Sequence, residues 1–166
     1  MSRRNIELLV LTGILLVYSL ATYQRNSAWR DDLSLWGDCV SKSCNKARPY
    51  IWLGLAHQKN GLVDEAIARF HKALTLKPNY ADAADTYNNL GLCYFDKGRL
   101  GLAIKHFEHA IRLAPNHIPA HNNLGFIYLQ MKRYRKALDE FMAILRVDPN
   151  NEMAKSLLHL CQKMLK

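Results

Sequence analysis

Cysteine is scarce, with 4 in 166 residues, and neither Cys39/Cys44 nor Cys93/Cys161 shows Cys-x2-Cys spacing or a matching half nearby. A disulfide-dense scaffold is thereby excluded, and no metal site is expected. Glycine and proline are also few, 8 and 5, which excludes collagen-like and low-complexity chains. Charged residues make up 22% against 49% hydrophobic, a balance that folds rather than stays disordered. Patterns that carry catalysis are missing too: there is no Ser/His/Asp order, no phosphate-cradling glycine loop and no carboxylate pair in a defined cleft. No catalytic residue and no cofactor are therefore expected. Basic residues outnumber acidic ones 23 to 14, a net +9, divided as +2 over residues 1–46 and +7 over 47–166. So diffuse an excess permits anionic partners and names none.

One long hydrophobic run is present. Residues 6–23 read IELLVLTGILLVYSLATY, with Glu7 as their single charge, Arg3 and Arg4 before them and Arg25 after. About 17 to 20 apolar helical residues suffice to span a bilayer core, and Tyr18 and Tyr23 suit its interfacial belt. The segment 1–24 is expected to be a transmembrane anchor. A cleaved signal peptide is the alternative, since Ser19-Leu20-Ala21 offers a small-x-small cleavage site. Arg3 and Arg4 favour the cytoplasmic side, which places the remainder on the extracytoplasmic (periplasmic or lumenal) side in either case.

The rest repeats itself. Over 47–80, Leu53, Gly54, His57, Ala66, Phe70, Ala73 and Pro78 stand at unit positions 7, 8, 11, 20, 24, 27 and 32. The block recurs over 84–117 with Leu90, Gly91, Tyr94, Ala103, Phe107, Ala110 and Pro115. A third copy over 118–151 has Leu124, Gly125, Tyr128, Ala137, Phe141, Ile144 and Pro149. Gly at position 8 and Ala at 20 let two antiparallel helices approach closely, while Phe at 24 fills the space to the next unit. Pro at 32 ends the second helix. Helix A is expected over 47–59, 84–96 and 118–130, and helix B over 63–75, 100–112 and 134–146. Residues 81–83 are extra. Trp29, Leu33, Trp36 and Val40 make one helical face, so 27–42, within a juncture of 25–46, are expected to cap the array as a lone helix. Residues 152–166, with Leu157, Leu158, Cys161, Met164 and Leu165 on one stripe, are expected to cap its other end.

This pattern resembles the tetratricopeptide repeat, whose 34-residue helix-turn-helix unit has these residue types at these offsets. The resemblance implies an all-α solenoid of three units with a concave face lined by the A helices and a protein or peptide ligand. On that face lie Trp52, Leu55 and Lys59, then Asn88, Asn89, Leu92 and Phe95, then Asn122, Asn123 and Phe126. Asn89 and Asn123 match the position-6 asparagines with which similar repeats clasp an extended backbone, an amide offering both donor and acceptor. Trp52 replaces the first rung. Equally, these amides can bond neighbouring helices. The Lys at position 5 and Asn at position 9 that chaperone-binding repeats use to clamp a C-terminal carboxylate are absent.

A second resemblance lies at the juncture. Arg25-Asn26-Ser27-Ala28-Trp29-Arg30-Asp31, after a hydrophobic span and before repeats, is similar to the junction following the last span in the transmembrane and tetratricopeptide-repeat O-mannosyltransferases and their bacterial relatives. Their acidic catalytic residues lie in early loops among many spans, and Asp31-Asp32 does not match that motif. The resemblance implies a C-terminal accessory portion or stand-alone derivative lacking the catalytic part. A structural scaffold for complex assembly, contacted on its convex B-helix face, is the third reading.

Other constellations carry blander readings. Cys93 and Cys161 fall at a core position. Cys39 and Cys44 pair only if a helix end allows it. His106 and His109 share a solvated face with no third ligand at metal spacing. Lys132, Arg133, Arg135 and Lys136 form a charged turn with only Tyr134 for stacking, so no nucleic acid is expected.

Overall fold

The computed structural model describes residues 3–165, with the side chains of 3–10 and 24–28 outside the description. Among the described residues every regular element is an α-helix. In order they are α1 (Arg3–Ala28), α2 (Asp32–Lys42), α3 (Ala47–Lys59), α4 (Val63–Thr75), α5 (Tyr80–Asp96), α6 (Leu100–Leu113), α7 (Ile118–Gln130), α8 (Tyr134–Val147) and α9 (Glu152–Met164). From α2 onward each helix packs on the next, so α3/α4, α5/α6 and α7/α8 form three stacked hairpins.

The hairpins close on the residues that recur. A Cβ built at Gly54 would lie 2.6 Å from the Phe70 ring, one at Gly91 2.5 Å from Phe107 and one at Gly125 2.7 Å from Phe141. Glycine is therefore what lets helix A sit against the phenyl ring of helix B. All three rings are sealed at 0–1% exposure, with Ala66, Ala103 and Ala137 at 0% beside them. Cys93 and Cys161 are buried, Cys93 in the cluster around Phe70 and Cys161 in the cluster around Phe107 and Phe141, and Cys39 and Cys44 are both free thiols. Within each hairpin the turn needs a left-handed residue: Gly61 (φ 75°) and Gly98 (φ 69°) supply it, and Lys132 (φ 55°) takes the equivalent place in the third.

Three expectations are corrected. Helix A of the second unit begins at Tyr80, not residue 84, because residues 81–83 lengthen α5 by a turn at its start, where the Asn79 side chain accepts from the Asp82 amide at 2.8 Å. The capping helix begins at Asp32, not residue 27. Asp31 and Ser34 form a capping box there, and Trp29 lies before the helix, its Nε1 donating to Asp38 Oδ2 at 3.2 Å. In α9 only Ala154 and Cys161 are buried, while Met164 and Leu165 stand 50% and 45% exposed, so the apolar stripe is half covered.

The expected membrane span is not met among the described residues, where no helix is long and apolar enough to cross a membrane. Residues 6–10 lie outside the described side chains. Residues 11–23 include Thr12, Gly13, Ser19 and Thr22. Every one of them is exposed.

Candidate functional site

The A helices α3, α5 and α7 present one continuous face on which three clefts open. The first, about 460 Å³, is lined by Arg48, Ile51, Trp52, Leu55, Asp82, Asp85 and Asn89. Beside it, about 380 Å³ lies between α2 and α3 against Asp32, Leu35, Trp36, Trp52, Leu55 and Lys59. The third, about 260 Å³, is floored by Leu92, Phe95, Phe107 and Phe126 and edged by Asn123 and Gln130.

Aromatic rings divide this face. Trp52 stacks on Trp36 with ring centres 5.5 Å apart and planes within 15°, and 48% of it stays exposed between the first two clefts. Phe126 meets Phe141 edge-on at 6.3 Å and is 41% exposed. Trp36 comes from the capping helix, so α2 builds a groove wall as well as closing the core. Lys59 pairs with Asp32 across the same junction at 3.0 Å.

The asparagines divide by role. Asn123 donates its amide to Asn88 Oδ1 at 2.9 Å, and Asn88 is buried, so these two clip α5 to α7. Asn89 lines the first cleft, and among the described residues its amide has no hydrogen-bond partner. Asn122 is half-buried and borders none of the three clefts.

Charge in the first cleft is arranged across repeat boundaries. Arg48 of α3 donates to Asp82 of α5 at 3.0 Å. His117, at the start of α7, accepts the Ala120 amide on Nδ1 at 3.1 Å and meets Asp85 Oδ1 through Nε2 at 2.9 Å. A ring nitrogen that accepts carries no proton, so His117 is the neutral tautomer that donates from Nε2 to Asp85. Asp82 sits in the extra turn of α5 and His117 at the end of a repeat unit, where the expected groove positions do not reach. Asn79, a side chain suited to start a helix, is the sequence signal for the former.

Away from the clefts, unit positions 4, 11 and 23 hold a different trio in each hairpin: Tyr50/His57/Arg69, Tyr87/Tyr94/His106 and His121/Tyr128/Glu140. His106 stacks on Tyr94 at 5.0 Å, 3° from parallel, and on Tyr87 at 6.0 Å, while His109 stacks on Tyr87 at 5.1 Å. Burial, then His71 and His109, push His106 down to about 4. His121 goes the other way. Burial lowers it, but Glu140 at 2.6 Å and the Pro115 carbonyl at 3.0 Å outweigh that and raise it. Both of its ring nitrogens face acceptors, an arrangement that favours the imidazolium over the neutral ring.

Glycine against phenylalanine in three hairpins in phase identifies the fold, and the chain matches the family model described as tetratricopeptide repeat over residues 45–116 and 82–150. The chain belongs to the tetratricopeptide repeat family. It is also similar to Protein O-mannosyl-transferase F38B6.6 of Caenorhabditis elegans, 34% identical over 77 residues, which are 46% of this chain and 11% of that one. The chain thus matches about a tenth of that relative's length, and the likeness to O-mannosyltransferases drawn from the sequence recurs there. Among solved structures, a MamA protein superposes with TM-score 0.70 at 20% identity, covering 87% of this chain and 78% of that one. The first tetratricopeptide domain of Spaghetti (RPAP3), bound to the HSP90 peptide SRMEEVD, superposes with TM-score 0.65 at 23% identity, covering 72% and 95%. At these identities the two structures share the fold of this repeat chain.

Proposed function

We propose that the chain is a non-catalytic module that binds an extended polypeptide segment along the face of α3, α5 and α7. The observation that carries this is the row of open clefts with apolar floors, where Trp52 and Phe126 remain 48% and 41% exposed while the recurrent phenylalanines are sealed. Half-exposed aromatics in concave sites are the usual anchors of polypeptide ligands. Spaghetti's peptide complex supports the mode of use, on a shared fold. The test is anisotropy of a labelled, fully degenerate nonapeptide pool against the full chain in mild detergent. Binding that weakens about tenfold in Trp52→Ala and in Phe126→Ala is expected. No binding, or binding lost only on changing Met142 or Leu102, exposed on the B helices, refutes the groove in favour of a scaffold read from the convex side.

A second reading is favoured by the O-mannosyl-transferase similarity: the same groove serves as the accessory domain of a membrane glycosyltransferase and presents acceptor polypeptide to an active site outside this chain. Co-purification with a polytopic protein is its expected outcome, and its failure leaves the stand-alone module.

Anchoring at a membrane through residues 6–23, with the repeats on the extracytoplasmic side, belongs to the same proposal. Supporting it, residues 11–23 are all exposed, among them Leu15, Leu16 and Val17 at 67–69%, a stretch that water does not favour. Resistance to alkaline carbonate extraction is expected; recovery of a mature protein lacking residues 1–21 establishes a signal peptide instead.

A further inference from the structure

The first cleft has a chemistry that the other two lack. Two carboxylates, Asp82 and Asp85, face one cation, Arg48, beside Trp52, and that cation is already taken by Asp82; in the neighbouring cleft Lys59 is likewise taken by Asp32. Asp85 is met only by the neutral His117, through Oδ1, and its side chain is 65% exposed. Among the described residues its Oδ2 has no partner. Trp36 covers part of the neighbouring indole, and the rest of Trp52 borders the same cleft. A chain of net +9 therefore holds an uncompensated negative charge beside an open indole at one point of its groove.

We propose that this cleft seats an arginine side chain of the bound segment, its guanidinium lying against Trp52 and forking to Asp85. The assignment rests on the polypeptide-binding reading above and names the ligand's class. A guanidinium is planar, weakly hydrated and rich in donors, so it lies flat on indole while its edge forks to a carboxylate; an ammonium is a more strongly hydrated point charge with neither planar face nor fork. The Arg48–Asp82 pair shows the same chemistry within the cleft, at 3.0 Å. Floor and walls from Ile51 and Leu55 accommodate the methylene stem.

Four labelled nonapeptide pools, degenerate except for a central Arg, Lys, Leu or Glu, test this by anisotropy with the full chain in detergent. The Arg pool is expected to bind about tenfold tighter than the Leu pool, a preference that falls with added salt, with the Glu pool weakest. Asp85→Asn keeps an oxygen for His117 and is expected to bring the Arg pool down to the Leu pool. Equal binding of all four pools overturns the arginine assignment while leaving the groove reading intact. A Lys pool as tight as the Arg pool overturns the guanidinium geometry, and an unchanged Arg preference in Asp85→Asn overturns the location. Absence of binding by every pool overturns the groove reading itself.

Discussion

Replacing Gly91 by alanine is the most direct trial of how this array packs. Helix propensity alone favours the change by about 0.8–1 kcal/mol. The added Cβ, however, would stand 2.5, 2.7 and 2.8 Å from Cε1, Cδ1 and Cζ of Phe107. One whole edge of that ring would have to retreat by about an ångström, and it is 1% exposed and packed among core side chains that would have to move with it. Overpacking costs about 1–3 kcal/mol, and contacts as short as these belong to the upper half of that range, so after the propensity gain the net loss should be about 1–2 kcal/mol. At a urea slope of about 2 kcal/mol/M the midpoint, followed by far-UV circular dichroism, drops by about 0.5–1 M. Gly101→Ala, in the same hairpin but with nothing within 4 Å of its Cβ, should instead gain about 0.4–1 kcal/mol. Phe107→Leu removes the Cε1 and Cζ atoms that the new methyl would meet. In the double variant the two losses should therefore fall short of additivity by about 1 kcal/mol. Gly91→Ala as stable as the parent, or strict additivity with Phe107→Leu, would refute the close approach as the reason for glycine there.

Three further outcomes are expected. Because the folded pKa of His106 is depressed to about 4, its contribution is complete above the unfolded value near 6.5 and declines as pH falls from there to about 4. For a partly solvated ring the loss is about 1–2 kcal/mol, seen as a falling melting temperature that His106→Phe flattens. His121 has the opposite sign: its pKa is raised, so its stabilisation is present below about 6.5 and is lost as pH rises through the folded value. Glu140→Gln should remove that slope and lower stability most in mildly acidic buffer. Asn123→Ala leaves the buried Asn88 Oδ1 without its donor and should cost about 1–3 kcal/mol, whereas Asn89→Ala, at an amide with no partner among the described residues, should change stability little and ligand affinity more.

The hairpins were legible in the sequence because their closure is local. Gly54 and Phe70, or Gly91 and Phe107, lie within one unit, and a helix period of 3.6 brings them face to face whatever the neighbours do. The trios at positions 4, 11 and 23 belong to the same class once the unit is known. The candidate site was legible only as a face: Trp52, Leu55, Leu92, Phe95, Asn89, Asn123 and Phe126 all border its clefts. What those residues do there was not legible, since it depends on how one hairpin is rotated on the next.

By itself, then, the sequence determined an all-helical repeat array, its period, the small residues at which each helix pair closes and the surface the A helices share, because periodicity and residue size act over a few helical turns; it had the recurrent phenylalanine filling the space to the next unit, whereas the structure sets it on the glycine of its own. Only the tertiary structure decided that Trp36 stacks on Trp52, that Asn123 spends its amide on Asn88, and that His117 reaches Asp85 as a neutral donor. Each of these joins residues of different units, and a shift of an ångström or two between units would break every one, since hydrogen bonds and ring stacks act at contact distance. The free charge of Asp85 beside an open indole is a product of that stacking and not of any one repeat.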